Sequence, residues 1–481
     1  MLSPIIKLAK LYNKLSSESR AATWYTVSNV ANKAVSTLFI PIYIRIMTMS
    51  EYGMYSYYHS LIPFLMIVCT LNMTGPIIYK GLKDHEDNRD AYISSSLGVM
   101  TLLSALVFFA FQSGYLISND SMSSLLGLEY SLGLCLVVDV WSTYVGSIWQ
   151  CRNRYEFKYK SVIIFNFVLS TGNLIFGLLA IFWSPNKLLG VLYCKVAFQC
   201  TLAIYVIVDI LKKNRKLFSL PIWKYIIICC LPLLTNIIAL RIVQRADYRV
   251  ILNKCSEVDL AIYGLAYSIS SLIYIFVGAF DNTLSPMITH SLAAKEFTNL
   301  RRQSKILLLM LCTIATGQCL LSPEMVLIFG TKDYYSAIYC IPPLVISVII
   351  EFVTNQIIYV LVYYRSNKLI TATSVFIAVS NVTLNLIFVP VYGFIAASYT
   401  TLASYIGYFI SVGLSYLRVT RRNSIKVFNV RFVITIIVIA LAICMLSVVF
   451  EQQRLIRTIL LSIISLMILF KMKNTLKQSV K

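Results

Sequence analysis

The chain is built from apolar blocks about 20 residues long that run without alternation of polar and apolar side chains. A helix needs roughly 20 apolar residues to cross a hydrocarbon core of about 30 Å, whereas a membrane strand needs about 10 and alternates. The blocks therefore predict membrane-spanning helices and exclude a β-barrel. Fourteen spans follow, at residues 22–44, 54–76, 92–116, 130–150, 161–183, 188–210, 223–244, 261–284, 304–329, 336–360, 369–389, 394–416, 431–450 and 455–471. Only 13% of the residues are charged, about half of what a soluble chain carries. That excludes a soluble enzyme, a disordered chain and a disulfide-stapled secreted domain. The fold class expected is an all-α polytopic membrane protein of about 14 transmembrane helices.

Net charge is +22, yet no basic cluster is attached to a soluble module, so no nucleic-acid partner is expected. The basic residues sit in short connections and set topology. On the side of the N-terminus the connections and tails carry 31 Lys and Arg, and on the other side 9. This bias predicts that both termini are cytoplasmic and supports an even number of spans. Residues 1–20 are polar and basic, so the first block reads as a true span rather than a cleaved signal. The 12 cysteines and 3 histidines show no metal-ligand spacing and no disulfide framework. No GxxxxGK[ST] motif and no long connection appears, which argues against an ATP-driven pump or an inserted catalytic domain. The acidic 84–90 connection (Asp84, His85, Glu86, Asp87, Asp90) reads as a solvated loop.

A short internal match appears at an offset of 208, where Glu51, Tyr55 and Ser60 overlie Asp259, Tyr263 and Ser268. It fits an organisation into an N-terminal lobe (residues 1–215, spans 1–6) and a C-terminal lobe (216–420, spans 7–12). Two extra helices and a tail (421–481) follow. Transporters built from repeated lobes bind substrate between the lobes, near the midplane.

The segment Phe39-Ile-Pro-Ile-Tyr-Ile-Arg45, followed by Ser50-Glu-Tyr-Gly53-Met-Tyr55, resembles the opening of bacterial polysaccharide-repeat flippases. These are the O-antigen and capsule (Wzx-type) exporters of the MOP superfamily. Asp247 with Tyr263 to Tyr267, Phe329-Gly330 through Tyr334 and Ala337, and Asn381-Val-Thr-Leu-Asn385 to Pro390-Val-Tyr-Gly393 fit the same resemblance. It implies a MATE-like fold in the bacterial inner membrane. The implied activity is transfer of an undecaprenyl-pyrophosphate-linked oligosaccharide from the cytoplasmic to the outer leaflet, for O-antigen (lipopolysaccharide) or capsule biosynthesis. Such a protein is not an enzyme and carries no cofactor. Its expected partners are the lipid-linked oligosaccharide, membrane lipids, H⁺ or Na⁺ as coupling ion, and polysaccharide polymerase and chain-length proteins.

Ionisable side chains inside spans cost at least about 2.5–3.5 kcal/mol each, which makes them functional candidates. Lys33 lies on a polar stripe with Thr26, Asn29 and Ser36. Arg241, Arg245 and Arg249 step by four and share one face of span 7, with Asp247 off that face. Guanidinium groups bind phosphate oxygens in pairs, so pyrophosphate or an acidic sugar would satisfy such a row. Lys195, one turn before Gln199, and Arg45, at the end of span 1, complete the expected cationic cavity. Asp139, Asp281 and Glu351 are the expected ion-coupling carboxyls, since a desolvated carboxyl exchanges protons nearer neutrality. The competing reading makes Asp139 or Glu351 a fixed partner of Lys33 or Lys195. Two other functions compete. A cation-coupled drug or metabolite antiporter of the same superfamily would need acids where spans 1 and 7 carry Lys and Arg. A membrane-embedded glycan polymerase or ligase would need a long outer loop. A flippase for the peptidoglycan precursor differs mainly in substrate.

Overall fold

The computed structural model of the protein describes residues 17–74, 76–118, 127–364, 366–423, 425, 427–460 and 462–463. Among the described residues the regular structure is helical, with no strand. In chain order the helices are α1 (Ser17–Leu38), α2 (Ile40–Ile46), α3 (Met49–Thr70), α4 (Pro76–Asp84), α5 (Arg89–Ser118), α6 (Tyr130–Tyr155), α7 (Tyr159–Trp183), α8 (Lys187–Lys213) and α9 (Leu220–Lys254). They continue as α10 (Glu257–Ser270), α11 (Tyr274–Ala294), α12 (Thr298–Leu320), α13 (Ser322–Phe329), α14 (Ile341–Tyr363), α15 (Asn367–Tyr392), α16 (Ile395–Arg422) and α17 (Val430–Val449). A one-turn 3₁₀ segment, Ser271–Ile273, joins α10 to α11.

Each of the first thirteen expected spans falls on helix. Span 1 is split into α1 and α2, and Pro41, which has no N–H to continue a helical ladder, stands in the first turn of α2. Ten helices among the described residues are long and apolar enough to cross a membrane, with α10 and α11 counted as one span of 38 residues. Helices α1, α3 and α9 are also long enough; α1 and α3 are more polar, and α9 begins with the apolar stretch Leu220–Leu231 before its arginine row. The basic tail through residue 16, most of the 117–129 connection, Arg365 and the fourteenth span beyond residue 463 lie outside the described residues.

The chain divides into two compact units. The first holds the residues up to Phe39 together with Tyr58–Leu234, and the second holds Ile40–Tyr57 and the residues from Thr235 onward. In the first unit α8 packs along α6 and α7, α5 packs on α6, and α1 on α7. Its core includes Ile78, Tyr92, Met100, Val145, Ile148 and Val206. At the end bearing the basic connections, Arg152 pairs with Asp90 and with Glu156. Burial raises the Glu156 pKa, but hydrogen bonds and charge from Lys158 and Arg152 outweigh it and hold the carboxyl below its usual range. In the second unit α14 is the axis, 72% buried over its apolar window and packed by α11, α12, α16 and α17. By contrast α7 is 17% buried and turns Phe167, Phe176 and Phe182 outward, as a lipid-facing helix should.

The 208-residue offset has a structural counterpart at two helix starts. Thr48 and Glu51 form a reciprocal capping box at α3: the Glu51 carboxylate accepts from Thr48 N (2.8 Å) and the Thr48 hydroxyl accepts from Glu51 N (3.2 Å). Ser256 and Asp259, each 208 residues later, cap α10 through Asp259 N donating to Ser256 Oγ (3.1 Å). The start of α3 and α10 pack against each other within the second unit. A Cβ on Gly53 would lie 2.1 Å from the Glu257 carbonyl oxygen, and one on Gly264 would lie 2.5 Å from Ser56 Oγ. Residues 56 and 264 are themselves 208 apart, so this crossing sits on a local pseudo-twofold axis.

Candidate functional site

Helix α9 carries the arginine row into the second unit. Arg241 Nη1 donates to Gln244 Oε1 (3.0 Å), Gln244 Nε2 donates to Glu351 Oε1 (3.1 Å), and Tyr274 donates to Glu351 Oε2 (2.6 Å). Arg241 and Glu351 are thus joined through a neutral amide. The Arg245 guanidinium lies 4.4 Å from the Tyr267 ring centre and 5.8 Å from that of Tyr248. Aromatic faces attract a cation without neutralising it. Arg249 Nη1 donates to the Tyr57 hydroxyl (3.2 Å). Among the described residues, neither Arg241 nor Arg245 forms a direct ion pair with a carboxylate.

The opposite face of α9 carries Asp247, which is 1% exposed. One of its oxygens accepts from the Tyr263 hydroxyl (2.6 Å) and the Thr401 hydroxyl (2.7 Å); the other accepts from Asn385 Nδ2 (2.7 Å). Asn385 also donates to Asn381 Oδ1 (3.3 Å) and accepts from the Thr400 hydroxyl (2.6 Å). Four helices, α9, α10, α15 and α16, converge on this carboxylate, and each hydrogen-bond donor to it is a neutral group. Such a centre can keep its charge, take up a proton, or turn its oxygens to a small cation once the donors rotate. From the sequence, none of Asp247, Tyr263, Asn381 and Asn385 is expected as a site residue. The signal that singles them out is the four-residue step from Asn381 to Asn385, which puts two carboxamides on one face of an otherwise apolar helix.

In the first unit Asp139, 2% exposed, accepts from Lys195 Nζ (2.9 Å), the Tyr58 hydroxyl (3.2 Å) and the Thr143 hydroxyl (3.4 Å). Lys195 and Asp139 are brought together as a buried pair, with Ser142 donating to Gln199 (3.4 Å) beside them. Lys33 belongs to the same unit, half-buried on α1. Its helix is held to α7 by Ser170 donating to Asn32 Oδ1 (3.1 Å). The side chains of Thr26 and Asn29, expected to extend its stripe, lie outside the described ones. Asp281 accepts from Gln356 (2.9 Å) and Tyr359 (2.7 Å), which ties α11 to α14. Arg45 is exposed and donates to the carbonyls of Ile328 (3.1 Å) and Pro41 (3.2 Å), so in this structure it caps the end of α13.

The other residues of the resemblance are packing elements. A Cβ on Gly330 would lie 2.7 Å from Leu265, Tyr334 is buried edge-on to Tyr52, and Gly393 ends α15 at φ +73°.

The family described as polysaccharide biosynthesis protein matches residues 19–292, and the MatE family matches residues 232–387. None of the curated proteins matches the sequence. Among solved structures the chain is similar to the lipid II flippase MurJ in an inward closed conformation. The identity is 13% and the TM-score 0.58, over 94% of this chain and 97% of that one. An inward-facing multidrug resistance MATE family transporter of the MOP superfamily is 14% identical with a TM-score of 0.60, covering 82% of this chain and 98% of that one. A MOP superfamily transporter from Pyrococcus furiosus, described as having a binding pocket of reverse polarity, is 14% identical. Its TM-score is 0.56, over 85% of this chain and 96% of that one. The likenesses to solved structures carry the fold, and the match over more than half of the sequence carries the family: this chain is a multi-pass membrane protein of the polysaccharide biosynthesis protein family, with a fold like that of the MOP superfamily transporters it is similar to.

Proposed function

We propose that the protein moves a lipid-linked oligosaccharide, held by its pyrophosphate, from the cytoplasmic to the outer leaflet of a bacterial inner membrane. The observation that carries this reading is the row Arg241, Arg245, Arg249, whose first two members keep neutral partners and so retain charge for an anionic ligand. A guanidinium binds phosphate oxygens bidentately, and Lys33, in the first unit, is proposed as a separate cation for the transported anion. The polyprenyl chain stays in lipid while the two six-helix lobes alternate in access. Undecaprenyl pyrophosphate as the anchor, and O-antigen or capsular repeats as the glycan, are what the resemblance suggests, and the family is consistent with them.

Coupling is proposed at Asp247. Asp139, also a candidate from the sequence, already has Lys195 as counter-ion. Glu351 and Asp281 also have neutral partners, Tyr405 being a third at Glu351, but both are only half-buried. Asp247 is wholly enclosed, meets neutral donors on both oxygens, and lies on the helix that carries the arginines. Protonation or cation capture there would change the packing of α9 on α10, α15 and α16.

The test is leaflet transfer in proteoliposomes, with a polyprenyl-pyrophosphate oligosaccharide supplied on one face. Wild type is expected to transfer it, and Lys33→Ala with Arg241→Ala to insert normally without transferring. Normal transfer by that double variant would remove the cationic site. The second reading, a cation-coupled antiporter, is favoured by the MatE match over residues 232–387. Wild-type resistance to cationic drugs together with no glycan transfer would select it.

A further inference from the structure

An apolar cleft of about 230 Å³ opens in the second unit between α11, α12, α14, α16 and α17. Leu308, Phe352, Ile410, Leu414, Val433 and Ile434 give its character. Ile410, Leu414 and Ile434 are each about half exposed, so the cleft is open along one side. Its lining residues come from one half of each helix, the half nearest the basic connections. There each of three helices places a cation within a turn of the lining: Lys305 on α12, Arg418 and Arg421 on α16, and Arg431 on α17. Lys305 Nζ lies 5.5 Å from the Phe432 ring centre, while Arg418, Arg421 and Arg431 are exposed. Between rim and cleft, the buried Ser304 hydroxyl lines the wall with no hydrogen-bond partner among the described residues.

We infer that this cleft binds one anionic membrane phospholipid. An acyl chain fills the apolar wall, the Ser304 hydroxyl donates to an ester carbonyl, and the phosphate meets the basic rim. Apolar depth, a hydrogen-bond donor and a cationic rim follow one another in the order in which a phospholipid presents chain, ester and phosphate. A polyprenyl phosphate has no ester carbonyl to accept from Ser304, which favours a phospholipid as occupant. The bound lipid would join α17 to α12 and α16, so its effect is on the seating of that helix and not on the arginine row.

Native mass spectrometry of the full chain, released from nanodiscs of phosphatidylglycerol and phosphatidylethanolamine, tests this. Wild type is expected to retain phosphatidylglycerol in preference. Gly413 lines the cleft, and a Cβ there meets nothing within 4 Å, so Gly413→Phe fills the space without a clash at its first atom. It should lower phosphatidylglycerol retention about tenfold. Gly413→Leu is the milder blocking variant if the first melts early. Arg421→Ala with Arg431→Ala should keep a lipid but lose the preference. Equal retention of both lipids by wild type would overturn the inference. So would unchanged retention in both Gly413 variants, or displacement of phosphatidylglycerol by undecaprenyl phosphate.

Discussion

Replacing Asp247 in two ways separates its charge from its hydrogen bonding. In Asp247→Ala the Tyr263 and Thr401 hydroxyls and the Asn385 amide lose their acceptor at a site that is 1% exposed. A buried donor left unpaired costs about 1–3 kcal/mol, so three together cost on the order of 3–6 kcal/mol after partial relaxation. Asp247→Asn behaves differently. Its carbonyl oxygen can take the position that now accepts from both hydroxyls. The new NH₂ then faces Asn385, which can exchange its own oxygen and nitrogen by a flip, because the Thr400 hydroxyl can accept as well as donate, at the cost of its 3.3 Å bond to Asn381. The expected loss of stability is about 1–2 kcal/mol, well short of that of Asp247→Ala. Charge is lost in both variants, so transfer should fall at least about tenfold in each, equivalent to roughly 1.4 kcal/mol on the rate-limiting step. Thermal melting in detergent beside proteoliposome transfer reads both quantities. If Asp247→Asn melts as early as Asp247→Ala, the flip argument is wrong; if it transfers at the wild-type rate, the ionisable group is not used.

Other outcomes follow from the same geometry. Lys195→Met leaves Asp139 buried without its counter-ion and should cost about 3–5 kcal/mol, while Lys195→Met with Asp139→Leu should recover most of it; melting curves of the three proteins check this. Gly53→Ala must push the α3 and α10 backbones apart, because its Cβ would meet the Glu257 carbonyl, and should cost about 1–3 kcal/mol. Gly264→Ala meets only the Ser56 side chain, so adding Ser56→Gly should rescue it, again read by melting. Burial raises the Glu324 pKa, but two hydrogen bonds from Arg457 and the charge of Arg454 outweigh it and hold the group below its ordinary 4.5. Its folded pKa lies below the unfolded one, so its contribution is complete above the unfolded value and is lost as pH falls through the folded value. The wild-type melting temperature should therefore drop below about pH 4.5 more steeply than that of Glu324→Gln.

Helix positions were legible because a bilayer imposes one length on every crossing, and thirteen expected spans lie on helix. The arginine row was legible too, since a four-residue step fixes a shared face whatever packs against it. Partners across long separations were not. Nothing in the sequence joins Lys195 to Asp139 rather than to Glu351, because that choice depends on α8 lying along α6. Helical spacing turns Asp247 away from the arginines, which hides it from a search for a shared face, yet that orientation is what delivers it to Tyr263, Asn385 and Thr401. Arg45 shows the reverse case: its charge suggests a ligand site, while its nearest acceptors are carbonyls at the end of α13. A local periodicity tells which side chains share a side, and only the tertiary arrangement tells what that side meets.

The crossing of α3 and α10 at Ser56 and Gly264 bears on how such a chain could arise. In a symmetric dimer of half-length chains, a residue on the twofold axis faces its own copy. Any enlargement there is doubled, so both copies have to stay small. Fusing two copies into one chain ends that constraint, because each side of the axis then mutates alone. Here one side carries no side chain and the other a hydroxymethyl group that occupies the space. The helices can therefore approach closely with the volume at the axis taken up by one residue in place of two.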